Sequence, residues 1–176
     1  MENKGNGEES WICKENHHKD FQDFYVEPKC LEPLNTNTGA QILVCEHKQS
    51  REVHAIKLIS KGLLSKRGKS RLASEVACLK KMNFSKHVAK LFDIYETEEE
   101  IALAMEYVPG GTLFDRAWEQ PERHLSEKAT KSVMKQLLTF ILEMKKVNII
   151  HRDLKASNLC YSDIRFLIYF LRWIIL

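Results

Sequence analysis

The sequence has little charge of either sign to spare. Its 27 lysines and arginines stand against 24 aspartates and glutamates, for a formal net charge of +3. A footprint on DNA or RNA needs a concentrated basic surplus, so no nucleic-acid partner is implied. The five cysteines, Cys13, Cys30, Cys45, Cys78 and Cys160, are scattered and contain no C-x-x-C pair. That pattern excludes the common zinc and redox frameworks and leaves free cytosolic thiols. Cys13, His17 and His18 lie close together but lack the spacing of a zinc ligand set. No apolar signal core follows Met1, and no run reaches the about 20 apolar residues of a membrane-crossing helix. The expectation is an intracellular chain, cytoplasmic or nuclear, with no transmembrane span.

What is present is an ordinary globular mixture, 44% hydrophobic and 29% charged over 176 residues, enough for one domain with a core. Residues 1–24 are polar, without sustained periodicity, and are expected to form a mobile lead-in. Ile42-Leu43-Val44-Cys45 and Val53 to Ile59 are branched apolar runs that predict two strands joined by a polar turn, Glu46 to Glu52. Lys61 to Lys69 reads as a basic connector, after which Leu72, Val76 and Leu79 recur at helical spacing. His87 to Tyr95 and Ile101 to Val108 predict a hairpin whose acidic turn, Glu96 to Glu100, is a solvated tip. Ser126-Glu127-Lys128 opens a helix carrying Ala129, Val133, Leu137, Phe140, Ile141 and Met144 along one stripe, with Lys145 and Lys146 near its end.

The densest chemistry lies in Ile150-His151-Arg152-Asp153-Leu154-Lys155-Ala156-Ser157-Asn158, which joins a base candidate, a cation and a metal-ligand candidate in one short loop. It matches H-R-D-L-x-x-x-N at every fixed position. Val53-His54-Ala55-Ile56-Lys57 is close to the V-A-I-K strand pattern. Glu75 follows Lys57 by 18 residues, on the Leu72, Val76, Leu79 side of its helix. Met105-Glu106-Tyr107-Val108-Pro109-Gly110-Gly111-Thr112-Leu113-Phe114-Asp115 lies between this helix and the catalytic-loop pattern, where a hinge would fall. On these motifs the chain resembles the eukaryotic serine/threonine protein kinases. The wording of the hinge and Cys45 are most similar to the calcium/calmodulin-dependent group, particularly the death-associated protein kinases.

The resemblance implies a bilobal α+β fold. Residues 25–108 would form a complete, mainly antiparallel β N-lobe with one helix and the hinge, and residues 109–163 an incomplete helical C-lobe with the catalytic loop. It implies ATP and magnesium as cofactors, and a protein hydroxyl as substrate. Asp153 would accept the hydroxyl proton, Lys155 would steady the transferring phosphoryl group, and Asn158 would hold magnesium. Lys57, paired with Glu75, would hold the α and β phosphates. Ile42 and Ala55 would lie above the purine, Met105 would wall the back of its pocket, and the backbone from Glu106 to Val108 would bond the adenine.

Three departures qualify this expectation. The G-x-G-x-x-G loop, counted back from Lys57, falls on Asn35-Thr36-Asn37-Thr38-Gly39-Ala40, so Asn35, Asn37 and Ala40 stand at glycine positions. Asparagine tolerates left-handed backbone better than most residues, and Gly39 is displaced by one position; weakened nucleotide binding is expected. Thr112 stands where the group usually has an acidic residue that contacts ribose or a substrate arginine. Finally, only 18 residues follow Asn158, and they contain no Asp-Phe-Gly. The expectation is a kinase domain truncated before that metal ligand and inactive as this chain. The alternative is a non-catalytic, pseudokinase-like module that binds nucleotide or a regulatory protein partner. The hydrophobic tail, residues 164–176, is broken by Arg165 and Arg172; it reads as a product of splicing or of a gene-model error, with association at a membrane surface as the other reading.

Overall fold

The computed structural model describes Ile12, residues 19–26, residues 40–162 and the backbone of residues 171–173. A four-stranded antiparallel sheet comes first, in the order β1-β2-β4-β3, from β1 (Ala40–Glu46), β2 (Val53–Ser60), β3 (Leu91–Glu96) and β4 (Glu100–Glu106). Helix α1 (Lys66–Met82) separates the two hairpins. The short α2 (Leu113–Trp118) and long α3 (Glu127–Lys146) follow, then β5 (Leu159–Tyr161), whose pairing partner is β6 (Leu171–Trp173). This is the expected α+β arrangement of a sheet lobe with one helix, followed by helices.

The strands alternate as a period of two demands. In β2, Ile56 joins an outer cluster with Leu43, Cys45, Tyr95, Ala102 and Ala104, and Leu58 packs against it. Ile59 joins the inner cluster with Leu72, Val76, Leu79 and Met82 of α1. Lys57, two residues before Ile59, shares that inner face. Both faces of β4 are covered, and Ile101 to Met105 are all buried. The inner cluster continues through Val88 and Leu91 to Val133, Phe140 and Met144 of α3, so one core joins the sheet to the long helix.

Each helix begins where the sequence supplies a cap. Ser65 and Ser126 accept from the backbone N–H groups of Gly68 and Ala129 at the starts of α1 and α3, the usual way to satisfy amides that have no partner inside the helix. Thr112 and Asp115 form a reciprocal capping box on α2. The stripe expected on α3 is buried at Val133, Phe140 and Met144 and partly buried at Leu137 and Ile141.

Two expectations need amending. Glu96 is not part of a solvated tip: it closes β3, is 1% exposed, and pairs with Lys61 Nζ at 2.7 Å. Burying a carboxylate demands such a partner, and the lysine comes from the connector that looked merely basic. Residues ahead of Tyr25 also pack. Phe21 to Asp23 form a 3-10 turn capped by Asp20, and Phe21 is buried in the outer cluster. Val26 N donates to Glu46 O at 2.9 Å and Lys48 N to Phe24 O at 2.9 Å, fastening the segment along the β1–β2 turn. Cys13, His17 and His18, which lack the spacing of a zinc ligand set, lie outside the described residues, as do residues 164–170.

The face of α3 opposite its buried stripe carries Met134, Leu138 and Leu142 at 45%, 56% and 59% exposure, spaced four apart and so on one side of the helix. Exposed apolar stripes of this kind promote association. Replacing Leu138 and Leu142 together by Glu is expected to lower light scattering of the purified chain at equal concentration. At Phe140, which has no exposure, an alanine is expected to cost about 3–5 kcal/mol of unfolding free energy in denaturant titration.

Candidate active site

Lys57 sits at the centre of the sheet lobe because β2 is a central strand, paired at this position with Ile42 of β1 and Leu103 of β4. Its Nζ lies 2.7 Å from Glu75 Oε1, and the two side chains are only 8% and 15% exposed. α1 delivers Glu75 one residue before the buried Val76, so packing of the Leu72, Val76, Leu79 face aims the carboxylate at the sheet. The neighbouring pair in the register is Ala55 with Met105, and Ala55 also faces Val44. Ile42 and Ala55 are half-buried and Met105 is buried. The structure thus brings Ile42, Ala55, Lys57 and Met105 to one face with Glu75 beside them. Asn35, Asn37 and Gly39 lie outside the described residues. Ala40, at the third glycine position, is an ordinary strand residue paired with Ile59.

At the end of β4 the chain is pinned on both sides. Glu106 N donates to Lys90 O at 2.8 Å, and Val108 is half-buried against the inner core. Gly110 N then donates to Tyr161 O at 2.9 Å, and Tyr161 N donates to Gly111 O at 3.0 Å. A Cβ on Gly110 would overlap the Tyr161 carbonyl, and Gly111 has φ of 72°, where glycine is favoured. The Gly-Gly pair therefore clasps the segment after β4 to the strand after the catalytic loop. Arg116 adds to the join, with Nε donating to Gly110 O at 3.0 Å and its guanidinium 4.7 Å from the Tyr161 ring centroid. Thr112, read for its missing acid, has a structural task as the cap of α2.

The catalytic-loop residues follow α3 directly. Asn158 is 1% exposed, and its Nδ2 donates to Asp153 O at 2.9 Å and to Asp153 Oδ2 at 3.1 Å. One buried amide thus fixes both the backbone and the carboxylate of the base candidate. Lys155 Nζ is 2.8 Å from the same Oδ2, with both side chains about half exposed, at 52% and 54%. The bonds from Lys155 and Asn158 hold the Asp153 carboxyl below the usual aspartate range. His151 accepts from Asp153 N through Nδ1 at 3.3 Å. Burial pushes its imidazole below the ordinary histidine value, against the opposing pull of the Asp153 charge. Arg152 has φ of 67°, an uncommon conformation for a residue with a side chain. A cavity of about 550 Å³ has Glu75 and Cys78 of α1 on one side and His151 and Arg152 on the other. The start of the catalytic loop therefore lies across this cavity from the helix that carries Glu75.

Among the described residues, no group of three or more His, Cys, Asp and Glu side chains is placed to hold a metal ion. Asn158 offers one amide oxygen, since its amide nitrogen is committed to Asp153. Magnesium demands near-octahedral oxygen coordination, so the described side chains alone do not make a magnesium site.

The structure brings Lys57 to Glu75 and Asp153 to Lys155 and Asn158; sequence reasoning missed three supports. These are the Gly110–Tyr161 clasp, the Asn158 tie to Asp153, and the contacts from Ser85 and His87 to Glu143 of α3. The Gly-Gly pair was a visible signal for the first. The second lies within the H-R-D-L-x-x-x-N loop itself, five residues apart, whereas the third joins residues more than 50 positions apart that no local pattern connects.

Compared with known proteins, the chain matches the protein kinase domain over residues 35–167, and it belongs to that family, whose members transfer phosphate from ATP with magnesium. It is 35% identical over 128 residues to myosin light chain kinase A of Dictyostelium discoideum, covering 73% of this chain and 42% of that protein. It is 34% identical over 145 residues to calcium/calmodulin-dependent protein kinase type 1B of Rattus norvegicus, covering 82% and 41%. With the type IV enzyme of Mus musculus the identity is 30% over 150 residues, covering 80% and 30%. The chain thus spans less than half the length of each of these serine/threonine kinase relatives.

Asp153 supplies a pH test with a definite sign. Its folded pKa is lowered, so the interaction of its ionised form is fully present above the unfolded aspartate value and is lost as pH falls through the folded value. A carboxyl-carbon NMR titration should place its midpoint below the ordinary aspartate value of 3.8, and Lys155→Ala should move that midpoint upward. Gly110→Ala is expected to destabilise the chain by about 1–3 kcal/mol in denaturant titration, as overpacking against backbone does.

Proposed function

We propose that this chain supplies the ATP-binding lobe, hinge and catalytic loop of a serine/threonine protein kinase whose acceptor is a protein hydroxyl. Lys57, oriented by Glu75, holds the α and β phosphates, while Ile42, Ala55 and Met105 line the purine site and the backbone of Glu106 and Val108 bonds the adenine edge. Asp153 takes the proton of the acceptor hydroxyl, and Lys155 lies against the phosphoryl group in transit. Asn158 holds Asp153 in place and is the residue through which this loop would meet a metal ion. The single observation that carries this reading is the Lys57–Glu75 pair. Two charges withdrawn from water at 2.7 Å are a costly way to stabilise a fold, since the desolvation penalty rivals the attraction. They are a direct way to fix one ammonium group for a phosphate.

The hinge wording and Cys45 support a place near the death-associated members of the calcium/calmodulin-dependent group, with a regulatory protein as a further partner. For the polypeptide of these 176 residues we infer slow phosphoryl transfer or none, because it contains no Asp-Phe-Gly. Such catalysis is mainly positioning and charge stabilisation, and one missing stabilising group typically costs about 10²- to 10³-fold in rate. The second reading, a pseudokinase-like module that binds nucleotide or a partner without transfer, is favoured by Asn35, Asn37 and Ala40 at the glycine positions.

The test uses the 176-residue chain with labelled ATP, magnesium and a mixed protein substrate. Transfer should be near background, while ADP with magnesium should raise the melting temperature and Lys57→Met should remove that rise. Robust transfer that Asp153→Asn abolishes would overturn the inactivity of this polypeptide. An unchanged melting temperature with nucleotide would remove the nucleotide-binding reading.

A further inference from the structure

Ser85 and His87 lie in the loop between α1 and β3 and are 2% and 3% exposed. Ser85 Oγ donates to Glu143 Oε2 at 2.5 Å, His87 Nδ1 lies 3.2 Å from the same oxygen, and His87 N donates to Ser85 Oγ at 3.0 Å. Glu143 belongs to α3, 58 residues from Ser85 and 56 from His87. The loop starts at once after Met82, the last residue of α1, and Ser85 N donates back to Met82 O at 2.9 Å. α1 carries Glu75, and α3 leads through Val147 to Ile150 into the Asp153 loop. One carboxylate oxygen therefore ties the helix that aims Lys57 to the helix that presents Asp153.

The sheet, α1 and α3 otherwise share one apolar core, to which Met82, Val88, Leu91, Phe140 and Met144 belong. Apolar contacts are non-directional and tolerate small slides, whereas two hydrogen bonds to one oxygen set a register. The Glu143 carboxyl is opposed by burial, which raises its pKa, but the bonds from Ser85 and His87 and the nearby Lys86 charge together hold it lower. An ionised acceptor makes both bonds of the charge-assisted, stronger kind.

We propose that Glu143 is a positioning residue, which sets the placement of α1, and with it the Lys57–Glu75 pair, relative to the Asp153 loop. It touches neither nucleotide nor acceptor and acts through Ser85, His87 and the C-terminal end of α1. The inference rests on the nucleotide-binding reading only for its effect on ligand; its effect on α1 stands without that reading.

The experiment compares the full chain with Glu143→Leu, which fills the volume and breaks the tie, and with Glu143→Gln, which keeps an acceptor and the fold if the leucine variant fails to fold. Hydrogen exchange should quicken in α1 from about residue 72 to 82 in Glu143→Leu, with β1 and β2 unchanged and Glu143→Gln intermediate. Exchange that quickens uniformly, or not at all in α1, would overturn the proposal. ADP with magnesium and adenosine are then titrated by calorimetry. Loss of the tie should weaken ADP by about fivefold and leave adenosine unchanged, since only the phosphates meet Lys57. In a Glu75→Gln background the same Glu143 change should add nothing for ADP. Equal weakening of both ligands, or full additivity with Glu75→Gln, would mark Glu143 as merely structural and sink the proposal. If the unaltered chain binds neither ligand, the nucleotide-binding reading fails while the exchange result still decides the role of Glu143.

Discussion

The buried Lys57–Glu75 pair is the constraint on which the rest of the structure depends. An ammonium on the inner face of a sheet is tolerated only if a carboxylate reaches it, and that carboxylate arrives only if a helix packs across the sheet at one register. The apolar face of α1, its serine cap and the Lys61–Glu96 pair all serve that register. A slip of one residue in β2 would send Lys57 to the outer cluster among Leu43, Ile56 and Tyr95. The inner core that holds α1 also holds α3, so the same packing that unites Lys57 with Glu75 carries the catalytic loop beneath them.

Much of this was legible in the sequence because the signals are local. Leu72, Val76 and Leu79 mark the buried face of α1, Ser126 marks the start of α3, and His151 to Asn158 spell out their loop. The hairpin β3–β4 was legible in kind, although β3 begins at Leu91 rather than His87, because His87 turns inward to a side-chain partner instead of joining the ladder. Glu96 was misread for a physical reason. Its neighbours Glu98, Glu99 and Glu100 are acidic, and nothing local separates a solvated carboxylate from one paired with a lysine 35 residues earlier. The Gly110–Tyr161 clasp left a single mark, the demand for glycine at Gly110 and Gly111, since backbone bonds do not otherwise show in side-chain identity.

Among the described residues, one part of the candidate site has its partners in place and another does not. The sheet face, the ion pair, the hinge clasp and the Asp153–Asn158 tie each have their partners among the described residues. The metal ligation expected of the family has one amide oxygen there. The two parts call for different physics: a buried ion pair is maintained by packing, whereas metal ligation requires several oxygens to converge on one point.

β4 is apolar on both faces from Ile101 to Met105, and this feature matters before folding is complete. A five-residue stretch of that kind, exposed on a nascent or partly unfolded chain, is a template for pairing with another copy of itself. The carboxylates that precede it, Glu98, Glu99 and Glu100, and Glu106 that follows it, place repelling negative charge at both ends of the stretch. They act as gatekeepers. The acidic turn thus has a task in the unfolded chain that its position in the folded one does not reveal: it keeps the central strand apart from its copies until β2 and β3 have closed around it.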